Sequence, residues 1–176
     1  MTYLLIGLVL VLIIAPIVSI LPSRSQKQIM QIRQTMMGRG VSIELTEIDD
    51  PEPNQAKYQT STGRQLAAKL KVTMYKKTTT NREASQRVAA WRVTCDFKSD
   101  PKMPQFQPVS SSALPAKAEL LLQSRAVDLP ESTAQIAWDG KTLAVFWVEQ
   151  ASPELAEKVF TFLDEGLQCL VTSDKD

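Results

Sequence analysis

The chain opens with an uncharged apolar run that limits its architecture more than any other feature: Tyr3 to Leu21 reads YLLIGLVLVLIIAPIVSIL, 19 residues without a charge. A helix of that length measures roughly 28 Å, close to the roughly 30 Å hydrocarbon core of a bilayer. The run therefore predicts a transmembrane anchor over residues 1–22. A cleaved signal peptide has a basic start, an apolar core of about 7 to 15 residues and a small-residue cleavage site. Here Met1 and Thr2 are uncharged and the run closes on Leu21-Pro22, so the anchor is expected to be retained. Pro16 lies inside the span, where a kink is tolerated. Arg24, Lys27, Arg33 and Arg39 follow with no acidic residue before Glu44. An excess of Lys and Arg beside a span marks the cytoplasmic side. The bulk of the chain is thus expected in the cytoplasm, and these four side chains are the candidate contacts with lipid headgroups.

The remainder of the 176 residues suits one ordinary domain. Its charge is uneven: residues 22–100 hold 14 Lys/Arg against 8 Asp/Glu, and residues 101–176 hold 6 against 11. A basic half beside an anionic leaflet gains roughly 1 kcal/mol per Lys or Arg near the surface. The chain has two cysteines, Cys95 and Cys169, and no histidine. Without histidine, Ser-His-Asp and Cys-His catalysis are excluded. Two thiols so far apart in sequence make neither a zinc ribbon nor a CxxC redox motif, so no metal or cofactor is expected and the thiols read as free and buried.

Local patterns divide the chain further. Residues 23–40 read as a juxtamembrane amphipathic helix continuing from the anchor, with Ile29, Ile32 and Met36 at helical spacing, Met30 and Met37 widening the stripe, and Gly38 near its end. The stripe suits a bilayer surface, a partner helix or the following domain. Val41 to Ile48 alternates, with Val41, Ile43 and Leu45 on the apolar face, and a polar loop follows over residues 49–63. Leu70, Val72 and Met74 alternate with Lys69, Lys71 and Thr73, which predicts a second strand with one wet face. Thr80 with Glu83 suits a capping box, yet Trp91, Val93, Cys95 and Phe97 alternate with Arg92, Thr94, Asp96 and Lys98. This predicts a strand over about 88–97, after a turn or short helical piece, pairing with Leu66 to Tyr75.

A Pro/Ser-rich connection covers about 99–115, with Pro101, Pro104, Pro108 and Pro115 and three serines at 110–112. A helix is expected from Pro115 to about Ala126. Asp139-Gly140 between two apolar runs predicts a hairpin with a type I′ turn. Ser152, Pro153 and Glu154 then open a helix with Leu155, Val159, Leu163, Leu167 and Leu170 along one face. The expected fold is α+β: one N-terminal transmembrane helix, then a soluble domain over 41–176 in which a small, mainly antiparallel sheet is packed by a C-terminal helix.

Few residue groupings carry chemistry. Glu44, Glu47, Asp49, Asp50 and Glu52 form an acidic run without EF-hand spacing. The lysines and arginines between Arg64 and Arg92 surround Tyr75 and Trp91, but alternation places Trp91 with core residues, so nucleic acid is not the expected ligand. Ser99 to Lys102 lies in a proline-containing loop, where a serine–lysine pair lacks its helix. Trp138, Phe146 and Trp147 gather around the Asp-Gly hairpin, and Phe146 and Trp147 fall on opposite faces of one strand. One of them needs cover from another element or a partner, which makes the three the candidate partner surface.

In layout, residues 1 to about 45 resemble the small accessory subunit of the bacterial protein-export channel, YajC: one N-terminal span, then a proline, glutamine and basic residues, a short helix, and glycine before a valine-bearing strand. Pro22, Gln26, Lys27, Gln28, Arg33, Gly38, Gly40 and Val41 carry the likeness, which residues 46–176 do not share. The resemblance implies a bacterial inner membrane. The expected function is that of a non-enzymatic, single-pass adaptor or accessory subunit with a cytoplasm-facing interaction domain and a protein partner besides membrane lipid. The alternatives are a membrane-tethered enzyme or ligand sensor using carboxylates and lysines, or a lipid-surface or nucleic-acid binder using the basic half.

Overall fold

A computed structural model describes residues 2–3, 6–7, 11–14, 23–53, 55–80, 88–97, 104–109 and 113–172. The expected span over Tyr3 to Leu21 falls largely outside them. Residues 2–3, 6–7 and 11–14 are helical, and among the described residues no helix is long and apolar enough to cross a membrane.

Helix α1, Arg24–Gly38, starts at its own N-cap rather than continuing from the apolar run. Ser23 is extended, and its hydroxyl accepts from the Gln26 amide while the Gln26 side chain accepts from the Ser23 amide. This reciprocal capping box satisfies two amide donors that a helix start leaves without intrahelical partners. Ile32 and Met36 reach the core, so the stripe packs mainly on the domain; Met30 and Met37 stay exposed.

Among the described residues the sheet has six strands, each antiparallel to its neighbours, in the order β1-β2-β6-β5-β3-β4. They are β1 Ser42–Asp49, β2 Lys69–Thr78, β3 Trp91–Asp96, β4 Gln105–Pro108, β5 Thr133–Trp138 and β6 Thr142–Trp147. Helices α2, Ala116–Arg125, and α3, Pro153–Val171, pack on one face. There Val93, Ile136, Leu143, Val145 and Trp147 meet Leu121 and Leu122 of α2 and Val159, Leu163 and Leu170 of α3. Each such aliphatic side chain removed from water contributes about 1.5–3 kcal/mol. Ser152 caps α3 and Pro153 holds its first turn, as the sequence predicts. Gly166 lets α3 approach closely, because a Cβ there would lie 2.6 Å from Leu143 Cδ2.

The opposite face carries a smaller cluster, contributed among the described residues by strands: Ile48, Val72, Ala134, Ala144 and Phe146, with Leu70, Met74 and Ala137 beside them. A bulge between Thr133 and Gln135 brings Ala134 into it. With this second cluster on one side and the main core on the other, β2 lacks the fully wet face that its alternation predicts. Leu70, Val72 and Met74 do share a face, but Thr73 and Tyr75 on the supposedly wet face are buried, Tyr75 edge-on to Trp147. A strand in the middle of a sheet is covered on both sides, so apolar alternation alone does not identify its core face.

Further differences are topological. The strand at 91–96 pairs with β5 and β4, while β2 pairs with β1 and β6, so the expected pairing of 88–97 with 66–75 does not form. Leu45, expected on the buried face of β1, is 68% exposed because β1 lies at the sheet edge. The Pro/Ser-rich connection supplies β4; residues 98–103 and 110–112 lie outside the described residues, as does the proposed turn or helix at 81–87. The β5–β6 hairpin forms as expected, but its two-residue loop is Gly140-Lys141 with positive φ at Gly140 only. That is the sign pattern of a II′ turn, not I′. Asp139 flanks the loop, its Oδ1 accepting from the amides of Lys141 and Thr142.

Candidate interaction site

Helix α1 is joined to the domain by buried contacts and by charge. Inward alternation along β6, through Leu143, Val145 and Trp147, carries on to Glu149 just beyond the strand, whose side chain is 3% exposed. Four donors reach that carboxylate. Arg33 Nε and the Arg33 Nη2 bind Oε2, Thr73 Oγ1 donates to Oε2 at 3.2 Å, and the Tyr75 hydroxyl donates to Oε1 at 2.6 Å. A buried carboxylate is tolerated only when so paired. Burial and the bond to Glu149 push the Tyr75 hydroxyl far above its usual range, so it remains a donor. The Glu149 bond also holds the Arg33 guanidinium more firmly protonated.

One helical turn and a half further on, Arg39 pairs with Glu157 and lies over the Phe160 ring, 3.4 Å from its centroid. The carboxyl of Glu157 is held below its usual range by that hydrogen bond. Two of the four proposed headgroup contacts, Arg33 and Arg39, are therefore engaged by the domain. Arg24 and Lys27 stand exposed on the first turns of α1.

Beside the Arg33–Glu149 pair lies a groove of about 400 Å³, bounded by Ile29 of α1, Leu45 and Glu47 of β1, Lys71 and Thr73 of β2, and Val148. Its walls are apolar at Ile29, Leu45 and Val148 and charged at Glu47 and Lys71, a composition suited to a side chain or short peptide segment. A second hollow of about 470 Å³ opens where Asp50, Glu52 and Lys57 approach Thr94, Asp96 and Glu131. Asp50 there binds the Tyr58 hydroxyl at 2.6 Å, the Glu52 amide and Lys57. Among the described residues Ser132 Oγ and Thr133 Oγ1, in residues lining that hollow, have no hydrogen-bond partner.

The aromatic partner surface expected from the sequence does not form. Trp138 and Trp147 are 1% and 0% exposed beneath the helices, and Trp138 Nε1 donates to the Val88 carbonyl. Phe146 lies on the other face but is 6% exposed, covered by the strand cluster and by the Arg92 guanidinium over its ring. Of the two sources of cover, another element or a partner, the first supplies it. The acidic run does not converge either, since Glu44, Asp49 and Asp50 each pair with a different lysine. Among the described residues no group of three His, Cys, Asp or Glu side chains could hold a metal ion. Cys95 is buried and Cys169 exposed, both as free thiols. Arg33, Thr73 and Tyr75, which come together on the Glu149 carboxylate, share no pattern in the sequence. Glu149 alone carried a signal there, a carboxylate on the apolar phase of a strand.

The chain matches no known protein family, no curated protein and no solved structure.

Proposed function

We propose that this chain is a single-span membrane protein of the adaptor or accessory-subunit kind, with its α+β domain facing the cytoplasm and engaging a protein partner, as in a bacterial inner membrane. The observation that carries the reading is the fastening of α1. This helix begins at the second residue after Pro22, so any anchor formed by the preceding apolar run leads almost directly into it. Ile32 and Met36 in the core, Arg33 on buried Glu149 and Arg39 on Glu157 then make the helix part of the domain. Such an arrangement holds a folded surface at a set distance from the bilayer, as an adaptor requires. Arg24 and Lys27 are the side chains left to meet anionic headgroups. Crosslinking of the full chain in cells, followed by purification, is expected to recover a protein partner in stoichiometric amount. Recovery of lipid alone would remove the adaptor reading.

A further inference from the structure

We propose that the open edge of β1 is a strand-addition site for an extended segment of a protein partner in which basic and apolar residues alternate. The proposal rests on the adaptor reading and specifies the surface and chemistry by which the partner binds.

The two edges of the sheet are unlike. β4 is four residues long and ends in Pro108, features that discourage pairing. β1 is eight residues long, contains neither proline nor lysine, and keeps an unbroken register with β2 from Ser42↔Lys76 to Asp49↔Lys69. Among the described residues no strand pairs with its other side. Such an edge presents a row of unpaired backbone groups, the template on which an extended peptide adds. Leu45, exposed in mid-strand, borders the groove beside Ile29, which offers a place for one apolar side chain of the incoming segment.

Charge selects the occupant. Glu47 and Asp49 lie with Leu45 on one face of β1, and Glu44 lies on the other. On its paired side β1 meets lysines: Lys71 opposite Glu47, Lys69 opposite and bonded to Asp49, and Lys76 bonded to Glu44. An antiparallel strand on the open side meets the same acids, so it should read basic, any, basic, any, apolar opposite Asp49, Glu47 and Leu45. A second copy of β1 would add a strand that itself carries three acids and no lysine, so its acids would crowd those already there, a destabilising arrangement.

The test uses the full chain in phosphatidylcholine nanodiscs, with empty discs as the blank, and the fluorescent octapeptide Lys-Val-Lys-Thr-Val-Lys-Val-Thr. The controls are the same peptide with its lysines replaced by glutamate, and one with its central Thr-Val replaced by Pro-Pro. The lysine peptide is expected to bind at least tenfold more tightly than either control, more weakly as salt rises, and with slowed amide exchange confined to residues 42–49. Leu45→Lys, at an exposed position, should weaken binding at least tenfold with an unchanged melting temperature. Equal binding of the lysine and glutamate peptides, or protection elsewhere in the domain, overturns the proposal. So does a dimer that Leu45→Lys dissolves, which would give the edge to a second copy. A partner crosslinked in cells only through other faces overturns strand addition while leaving the adaptor reading intact.

Discussion

Glu149 and its donors show how a single buried carboxylate joins three parts of the chain: α1 through Arg33, β2 through Thr73 and Tyr75, and the segment after β6. Removing Arg33 leaves that carboxylate with hydroxyl donors only. Arg33→Ala is therefore expected to lower stability by about 2 kcal/mol, since breaking a buried pair costs about 3–5 kcal/mol and Arg33 is partly solvated. Arg24→Ala, on the exposed first turn, should stay within about 0.5 kcal/mol. Urea denaturation of the two variants in detergent distinguishes them. Asp50 gives a second test, in pH. Burial raises its carboxyl pKa, but the bonds from Tyr58, the Glu52 amide and Lys57 outweigh burial and hold it below the usual range. A carboxyl whose folded pKa is depressed contributes stability above its unfolded value, about 3.9, and loses it as pH falls through the folded value. Asp50→Asn should lower the urea midpoint at pH 7 and flatten its decline between pH 5 and 2. The Glu149 network was not legible in the sequence, because Arg33 and Glu149 are 116 residues apart and hydrogen bonding across that distance leaves no local periodicity.

Among the elements, those specified by near neighbours were readable. The capped and proline-started α3, the amphipathic α1 and the Asp-Gly hairpin each carry their signal within a few residues. The partners of β2 and β3 were not readable, since β6 joins β2 across about 70 residues and strand choice depends on the completed sheet. Gly166 tests how tightly α3 meets that sheet. Gly166→Ala gains about 1 kcal/mol of helix propensity but drives a methyl against Leu143 and Leu121, and overpacking costs about 1–3 kcal/mol. A net loss of about 1 kcal/mol is expected in thermal or urea unfolding, with Leu143→Ala restoring part of the lost fit in a double-mutant cycle.

For the whole molecule, the two thiols report both packing and orientation. Burial pushes the Cys95 thiol well above its usual range, whereas Cys169 is exposed on α3. A membrane-impermeant maleimide should label Cys169 in inverted inner-membrane vesicles and not in intact spheroplasts, and should reach Cys95 only after denaturation. Labelling of Cys169 from the outside would reverse the cytoplasmic orientation read from Arg24, Lys27, Arg33 and Arg39. The order of strands has a further consequence, for biogenesis. β6 sits between β2 and β5, β5 in turn pairs with β3, and α3 closes the core over them. Until the segment from β5 to α3 has been synthesised, β2 and β3 lack their central neighbours. Until then the inner edges of β2 and β3 are open and the sheet's helix-covered face is bare. This topology makes the domain dependent on residues 133–171, so the interval before they are made is when it most needs protection from aggregation and proteolysis.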